Sequence, residues 1–336
     1  MTLEAPLFAP GKLIWMGEYA VLDGAPSIVQ AVDRGLHLGY AGGPERLTVT
    51  SDLWAGPLLL AEATPDRPET ALLAAVVATL EESGARLQDC TGTLRLASPD
   101  LVDATTGLKF GFGSSAAAAA ALTVALGRLA GLPDQRLAAL AHAAHLRFQK
   151  GAGSGVDVET SLFGGLAAMR RGPSGLAVAP LPLPAGLRVA VLHAGEAANT
   201  RTMLATLAAA RAARLPGVEA ALAAMAELSG QAVSALEAGQ PSDFLQCVSR
   251  FADAERDLTR SASLPIMSPA VERCIGVAAR AGWVAKPSGA GGGDIVVAFA
   301  EGLEPTAALA ASAESAHIPL LLPGLAGSGA LGARPV

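Results

Sequence analysis

A short glycine-containing segment followed directly by a long alanine-rich run constrains this chain more than any other part of its sequence. Residues 109–129 read KFGFGSSAAAAAALTVALGRL. The two separated glycines allow a tight turn with no Cβ atom in the way, and the two serines after them are residues that often begin helices. Alanine has the highest helix propensity, and Gly-Leu-Pro at 131–133 is a typical stop signal. The pattern therefore predicts a glycine loop that opens a helix over residues 114–129.

The start of such a helix is a ready site for an anion. Its first N–H groups have no partner within the helix and together carry about half a positive charge, so a phosphate group is the natural occupant. The candidate phosphate-binding residues are Lys109, Gly111, Phe112, Gly113, Ser114, Ser115 and Ala116. The same letters fit the dinucleotide fingerprint G-x-G-x-x-A. Residues 99–109 make a poor preceding strand, however, and Asp134 resembles a helix cap, so we reject that interpretation.

Lysine is rare and is always found near glycine. Of the 24 basic residues only four are lysines, and Lys12, Lys109, Lys150 and Lys286 each lie in or beside a glycine-rich segment. A lysine ammonium is a compact point charge that differs in kind from the planar arginine fork, and it suits phosphate. Because the chain is acidic overall, with a net charge of −6, an anion site needs local positive charge. We expect the four lysines to supply it.

Two further segments are rich in glycine. Residues 286–294 read KPSGAGGGD, with more glycines than a hairpin requires. Such a bare loop lets backbone amides approach a ligand closely, although it lacks the order of a Walker loop. Residues 150–165 read KGAGSGVDVETSLFGG and place Asp157 just after two glycines. An isolated aspartate there would most often be a helix cap, and its proximity to the other motifs makes it a catalytic candidate.

Strand and helix patterns occur in both halves of the chain, which predicts an α+β protein with two lobes. Hydrophobic residues make up 51% of the sequence, enough for a sizeable core. Strands are expected within 3–52, and helices over 68–83, 134–149, 201–214, 217–238 and 241–262. A stretch rich in proline and glycine begins near residue 172 and predicts domains at 1–172 and 173–336. The glycine-rich C-terminal tail is expected to be frayed.

Several classes of function are disfavoured. No basic run is interleaved with aromatic residues, which argues against a nucleic-acid partner. The longest apolar run, 116–126, is too short to span a bilayer, so no membrane association is expected. The three cysteines are scattered without metal-ligand spacing, which fits a reduced cytoplasmic compartment.

Taken together, three motifs resemble those of the GHMP kinases. They are APGKLIWMGEYAVL, GFGSSAAAAAAL and KPSGAGGGD, and they occur in the family's order between residues 9 and 294. The resemblance implies a ribosomal-protein-like N-terminal lobe and a ferredoxin-like C-terminal lobe, with ATP and a small acceptor bound between them. It also implies that Lys12 and Asp157 face the transferred phosphoryl group and that Ser115 contacts Mg²⁺. Mevalonate kinases carry a magnesium-binding glutamate on the helix before the aspartate motif, whereas AALAHAAHLRFQKGAG has no carboxylate.

Within the family the chain looks most like the phosphomevalonate kinases, which share the GSG-x-DV pattern, a tyrosine at position 19 and an aspartate at position 294. This resemblance implies phosphomevalonate as the acceptor. The implied acceptor-binding residues are Lys150, Ser154, Gly155, Thr200, Arg201, Ser288, Gly289, Ala290, Gly291 and Gly292. Alternatives are a mevalonate kinase or another small-molecule kinase of this family, and a non-catalytic binding protein of the same fold. The motif expected for the family's decarboxylase around the aspartate is not seen. A homodimer is a possible assembly.

Overall fold

The computed structural model describes residues 6–52, 56–102, 109–151, 153–173, 175–196, 200–302 and 304–334. Its contacts divide the chain into two compact units. The first comprises Met1–Lys12, Ala31–Gly165 and Leu325–Val336, and the second comprises Leu13–Gln30 and Leu166–Gly324. This division differs from the single boundary predicted near residue 172, because strands β1 (Leu7–Met16) and β2 (Pro26–Arg46) each contribute residues to both units.

The described residues of the first unit form part of a sheet and four α-helices. The later part of β2 pairs antiparallel with β5, β5 pairs parallel with β3, and β3 pairs antiparallel with β4. The remaining elements of this unit are β3 (Thr48–Ser51), β4 (Leu58–Leu59), β5 (Thr91–Ala97), α1 (Ala71–Glu82), α2 (Ser114–Leu129), α3 (Asp134–Phe148) and α4 (Val156–Phe163). The predicted α+β class is confirmed, and the predicted helix over 114–129 is found with the same bounds.

Helix α2 is buried on all sides in the middle of this unit. Every residue from 116 to 127 is buried, and the helix contacts α1, α3 and α4. Its alanines and glycine make it thin enough for close neighbours. At Gly127, for example, a Cβ atom would lie 2.4 Å from Leu137 Cδ2 of α3. The alanine run therefore serves packing as well as helix propensity, and it holds the start of α2 in a fixed place.

The second unit contains two groups of strands. The first five residues of β2 pair with β6, and β6 pairs with β7. A separate antiparallel sheet has the order β11-β8-β10-β9. The remaining elements are β6 (Leu166–Gly172), β7 (Gly175–Pro180), β8 (Leu187–His193), β9 (Val284–Pro287), β10 (Ile295–Glu301), β11 (Leu320–Leu321), α5 (Thr200–Ala212), α6 (Val218–Glu237), α7 (Pro241–Ala262), α8 (Pro269–Arg280) and α9 (Glu304–Ser315).

Helices cover both faces of this second sheet. On one face, α8 and α9 pack on a core that includes Leu192 and Val296. On the other face, Trp15 lies against Phe244 of α7 and Phe299 of β10, with ring centroids 5.6 and 5.1 Å away. Within the described ranges, none of the helices has both the length and the apolar character needed to cross a bilayer.

Candidate active site

Lys12 lies across the glycine loop that precedes α2. Its backbone N–H donates a hydrogen bond to the carbonyl oxygen of Phe112 at 2.8 Å. Gly113 has a φ of 75°, a left-handed conformation that favours glycine. A Cβ atom at Gly113 would lie 3.1 Å from both Cγ and Cε of Lys12. The structure therefore brings Lys12 and the predicted phosphate loop together, with the lysine side chain packed over the last glycine.

The first turn of α2 carries Ser115, whose hydroxyl contacts a histidine of α3. Ser115 Oγ is 3.3 Å from His145 Nε2, and His145 is only 2% exposed. Burial lowers the pKa of His145, and the negative charge of Asp157 acts in the opposite direction. His145 thus lies within electrostatic reach of Asp157 and in contact with Ser115. It links two of the predicted site residues.

A second histidine of α3 contacts α4, the helix that carries Asp157. His142 Nε2 is 2.7 Å from Glu159 Oε2, and a Cβ atom at Gly155 would lie 3.0 Å from His142 Nδ1. Gly155, with a φ of 83°, stands immediately before the helix. Asp157 lies in its first turn, where Oδ1 accepts the N–H of Val158 at 3.0 Å. The sequence shows that residues 138–153 contain no carboxylate, but it does not single out the two histidines, whose only signal is their spacing of three residues on an alanine-rich helix.

The C-terminal tail packs on α4, so the expectation of a frayed tail is wrong as far as Arg334. The Arg334 guanidinium donates to Glu159 Oε1 at 2.7 Å and lies 4.6 Å from the ring centroid of Phe163. Leu331 N–H donates to the Leu162 carbonyl at 2.8 Å. Although burial alone would raise the pKa of Glu159, its hydrogen bonds from His142 and Arg334 lower it.

Among the other candidates of the first unit, Phe112 and Ala116 are buried, whereas Lys109, Lys150 and Ser154 lie at its surface or near it. Lys109 and Lys150 are both exposed, and Lys150 has a φ of 56°. Ser154 is half-buried directly before Gly155. No cluster of three or more His, Cys, Asp or Glu side chains that could hold a metal ion occurs in the described part of the chain.

In the second unit, the glycine loop between β9 and β10 is packed tightly at its later glycines. Gly291 and Gly292 have φ values of 73° and 81°. A Cβ atom at Gly291 would lie 2.6 Å from Ile266 Cγ2, and Gly292 N–H donates to the Ile266 carbonyl at 2.9 Å. These glycines are therefore required by packing. Thr200 and Arg201, at the start of α5, are both exposed.

The prediction that all four lysines supply positive charge to an anion site is wrong for Lys286. Its side chain is fully buried, and Nζ donates to Glu18 Oε1 at 2.6 Å. A lysine with no exposed surface and a buried counter-ion cannot serve as a free point charge for phosphate. The composition pattern missed this because Glu18 is 268 positions away in sequence.

Comparisons with known proteins agree with these motifs. Residues 71–165 match the family model "GHMP kinases N terminal domain", and residues 232–317 match "GHMP kinases C terminal". A phosphomevalonate kinase from Streptomyces sp. (strain CL190) is 31% identical, over 87% of this chain and 88% of that protein.

Solved structures share the fold. A protein from Listeria innocua superposes with a TM-score of 0.83 at 23% identity, over 96% of this chain and 97% of its own. Streptococcus pneumoniae phosphomevalonate kinase in complex with phosphomevalonate and AMPPNP superposes with a TM-score of 0.79 at 21% identity, over 96% of this chain and 100% of its own.

Proposed function

Because the chain belongs to the GHMP kinase family, we propose that it transfers a phosphoryl group from ATP to phosphomevalonate. The products would be ADP and diphosphomevalonate. The proposed identity of the acceptor rests on the similarity to the Streptomyces phosphomevalonate kinase over most of both chains. The proposal of phosphoryl transfer rests on the position of Lys12 over Gly113 at the start of α2.

The ATP phosphates would lie at the first turn of α2. Free N–H groups and the helix dipole favour an anion there, and the candidate residues are Lys109, Gly111, Phe112, Gly113, Ser114, Ser115 and Ala116. Phosphoryl transfer depends mainly on positioning and on stabilising charge. Lys12, held against the same loop, would neutralise the charge that develops on the transferred group.

Magnesium would take few ligands from this chain. Because the described residues contain no cluster of three metal-binding side chains, we propose that Ser115 Oγ, ATP oxygens and water hold the ion, as suits a cation that keeps several waters. Bound there, Mg²⁺ would offset phosphate charge. Within this arrangement the contact with His145 would orient the Ser115 hydroxyl.

Asp157 would orient Lys12 or a metal-bound water and would contribute little as a base. A phosphate monoester has a second pKa of about 6 and is largely ionised at neutral pH, so an acceptor of this class has little need of deprotonation. An alcohol acceptor such as mevalonate would need it. The remaining candidates for acceptor binding are Lys150, Ser154 and Gly155 in the first unit, and Thr200, Arg201, Ser288, Gly289, Ala290, Gly291 and Gly292 in the second. A homodimer and a cytoplasmic location stay predictions.

The proposal is tested by measuring ATP-dependent ADP release with phosphomevalonate, mevalonate, homoserine and galactose in parallel. We expect turnover with phosphomevalonate and a much lower kcat/KM for the other three compounds. Turnover of mevalonate alone would replace the proposed acceptor and leave the family membership unchanged. No turnover with any of them would favour the non-catalytic alternative.

A further inference from the structure

A cluster of three ionisable side chains is buried in the second unit, below its glycine loop. The side chains of Lys286 and Glu255 have no exposed surface, and that of Glu18 is 2% exposed. Lys286 Nζ is 2.6 Å from Glu18 Oε1 and 3.7 Å from Glu255 Oε1, and it lies 5.1 Å from the ring centroid of Phe251. A buried ion pair is weak evidence for stability, since desolvation offsets most of its attraction. The cluster therefore calls for another role.

The two carboxyl groups of the cluster are not equivalent. Among the described residues, neither oxygen of Glu255 has a hydrogen-bond partner. Burial raises the pKa of Glu255 well above its usual range, and the attraction of Lys286 does not overcome this effect. Burial therefore favours the protonated form of Glu255. Glu18, by contrast, accepts a hydrogen bond from Lys286 through Oε1.

Glu18 is the carboxyl group that reaches the glycine loop. The same Oε1 atom that accepts from Lys286 also accepts the backbone N–H of Gly289 at 3.2 Å. Tyr19, the next residue, donates its hydroxyl to the carbonyl oxygen of Ala290. Tyr19 also has a φ of 60°, a conformation that is strained for a bulky residue and persists where the surroundings enforce it.

The first residue of the loop is held by the same part of the chain. Ser288 Oγ accepts the N–H of Ile14 at 3.1 Å and donates to the Ile14 carbonyl at 2.9 Å. Segment 14–19 therefore binds three successive residues of the loop: Ser288, Gly289 and Ala290. The backbone of a loop so rich in glycine has little conformational preference of its own, so these contacts determine its shape.

We propose that Glu18 is a positioning residue, which fixes the backbone of Ser288–Ala290 for acceptor binding while Lys286 holds its carboxylate in place. The part concerning the acceptor rests on the proposed function. The part concerning the loop's conformation does not. A purely stabilising cluster is the alternative. It would make the two glutamates equivalent in their effect on the loop.

The first experiment measures hydrogen exchange of the peptide covering 286–294 in the full chain without substrates. Glu18→Gln removes the carboxylate that binds Gly289, whereas Glu255→Gln is the same change at an equally buried position that does not touch the loop. We expect exchange in this peptide to become about tenfold faster in Glu18→Gln, as for loss of one charge-assisted hydrogen bond, and to stay unchanged in Glu255→Gln. Equal changes in both variants, or no change in either, would overturn the proposal.

A second variant keeps the test decisive if Glu18→Gln does not fold. Tyr19→Phe removes only the hydroxyl that binds Ala290 and keeps the buried ring. It should also speed exchange of the loop peptide, and an unchanged rate would contradict the proposal.

Kinetics then test the link to the acceptor. In Tyr19→Phe and Glu18→Gln we expect KM for phosphomevalonate to rise about tenfold, with KM for ATP nearly unchanged. Faster loop exchange with an unchanged acceptor KM would overturn the link to the acceptor. If the wild-type protein does not act on phosphomevalonate at all, the proposed function fails, and the exchange result still decides whether Glu18 positions the loop.

Discussion

At the scale of single residues, the contact between Lys12 and Gly113 is the most direct link between sequence and chemistry. We expect Lys12→Met to lower kcat by about 10²–10³-fold, the usual effect of losing one group that stabilises the transition state. The dissociation constant of ATP should change little, because the α2 amides remain. Fixed-time assays of ADP release measure kcat, and calorimetry of ATP binding measures the dissociation constant.

Lys12→Arg is the matched control, since it keeps the charge but presents a planar fork in place of a compact ammonium. It should retain part of the activity lost in Lys12→Met. A Lys12→Met protein as active as wild type would remove this residue from the mechanism.

Gly113 tests whether the position of the Lys12 side chain matters. Gly113→Ala would place a Cβ atom 3.1 Å from Lys12 Cγ and Cε. Gly131→Ala is the control, because Gly131 has a similar φ of 77° but no atom within 4 Å of the added Cβ. Each change should lower the free energy of unfolding by about 1–2 kcal/mol through backbone strain. Only Gly113→Ala should also lower kcat, since the lysine must move, and an equal kcat in the two variants would refute this.

Glu255 predicts a dependence of stability on pH. Because burial raises its pKa in the folded state, the folded protein holds a proton that the unfolded chain loses. This group's contribution to stability is therefore present at pH values below about 4.5, the usual pKa of a glutamate, and decreases as pH rises toward its folded-state pKa. The slope is about 1.4 kcal/mol per pH unit.

Glu255→Gln should remove that slope. Urea unfolding near pH 5.5 and near pH 7.5 should show the variant gaining stability relative to wild type as pH rises. The exposed Glu237→Gln change controls for the loss of a carboxyl group as such. A constant difference between Glu255→Gln and wild type at both pH values would mean that Glu255 is ionised in the folded protein.

At the scale of elements, α4 is held from two sides, by His142 of α3 and by Arg334 of the tail. Arg334→Met would leave Glu159 with His142 as its one remaining partner among those described. We expect a loss of about 1–2 kcal/mol in the free energy of unfolding and a lower kcat, because Asp157 lies one half-turn before Glu159 on the same short helix.

The control for this prediction is Arg86→Met, which breaks an exposed pair with Asp89 whose side chains are 75% and 53% exposed. Such surface pairs contribute about 0–1 kcal/mol. If Arg334→Met costs no more than Arg86→Met and leaves kcat unchanged, the tail does not support α4.

The elements themselves could be read from the sequence to a large extent. Helices over 114–129 and 241–262 were predictable at their bounds, because glycine or proline marks their ends and alanine or amphipathic spacing fills them. The histidines of α3, the burial of Lys286 and the path of the tail could not be predicted in this way. Each depends on a contact between residues far apart in sequence, and no local pattern encodes such a contact.

At the scale of the whole molecule, the family motifs are divided between the two units of the chain. Lys12, the phosphate loop and Asp157 belong to the first unit, and the glycine loop belongs to the second. In the proposed reaction, ATP and a phosphorylated acceptor are consumed together. Substrate identity is therefore the property on which the predictions for kcat and KM depend.

Phosphorus NMR of a reaction containing the protein, ATP, Mg²⁺ and phosphomevalonate tests this most directly. We expect the phosphomonoester signal to be replaced by two mutually coupled signals of a diphosphate, with one equivalent of ADP formed for each acceptor consumed. An unchanged phosphomonoester signal, with ATP either intact or hydrolysed to ADP and inorganic phosphate, would contradict it.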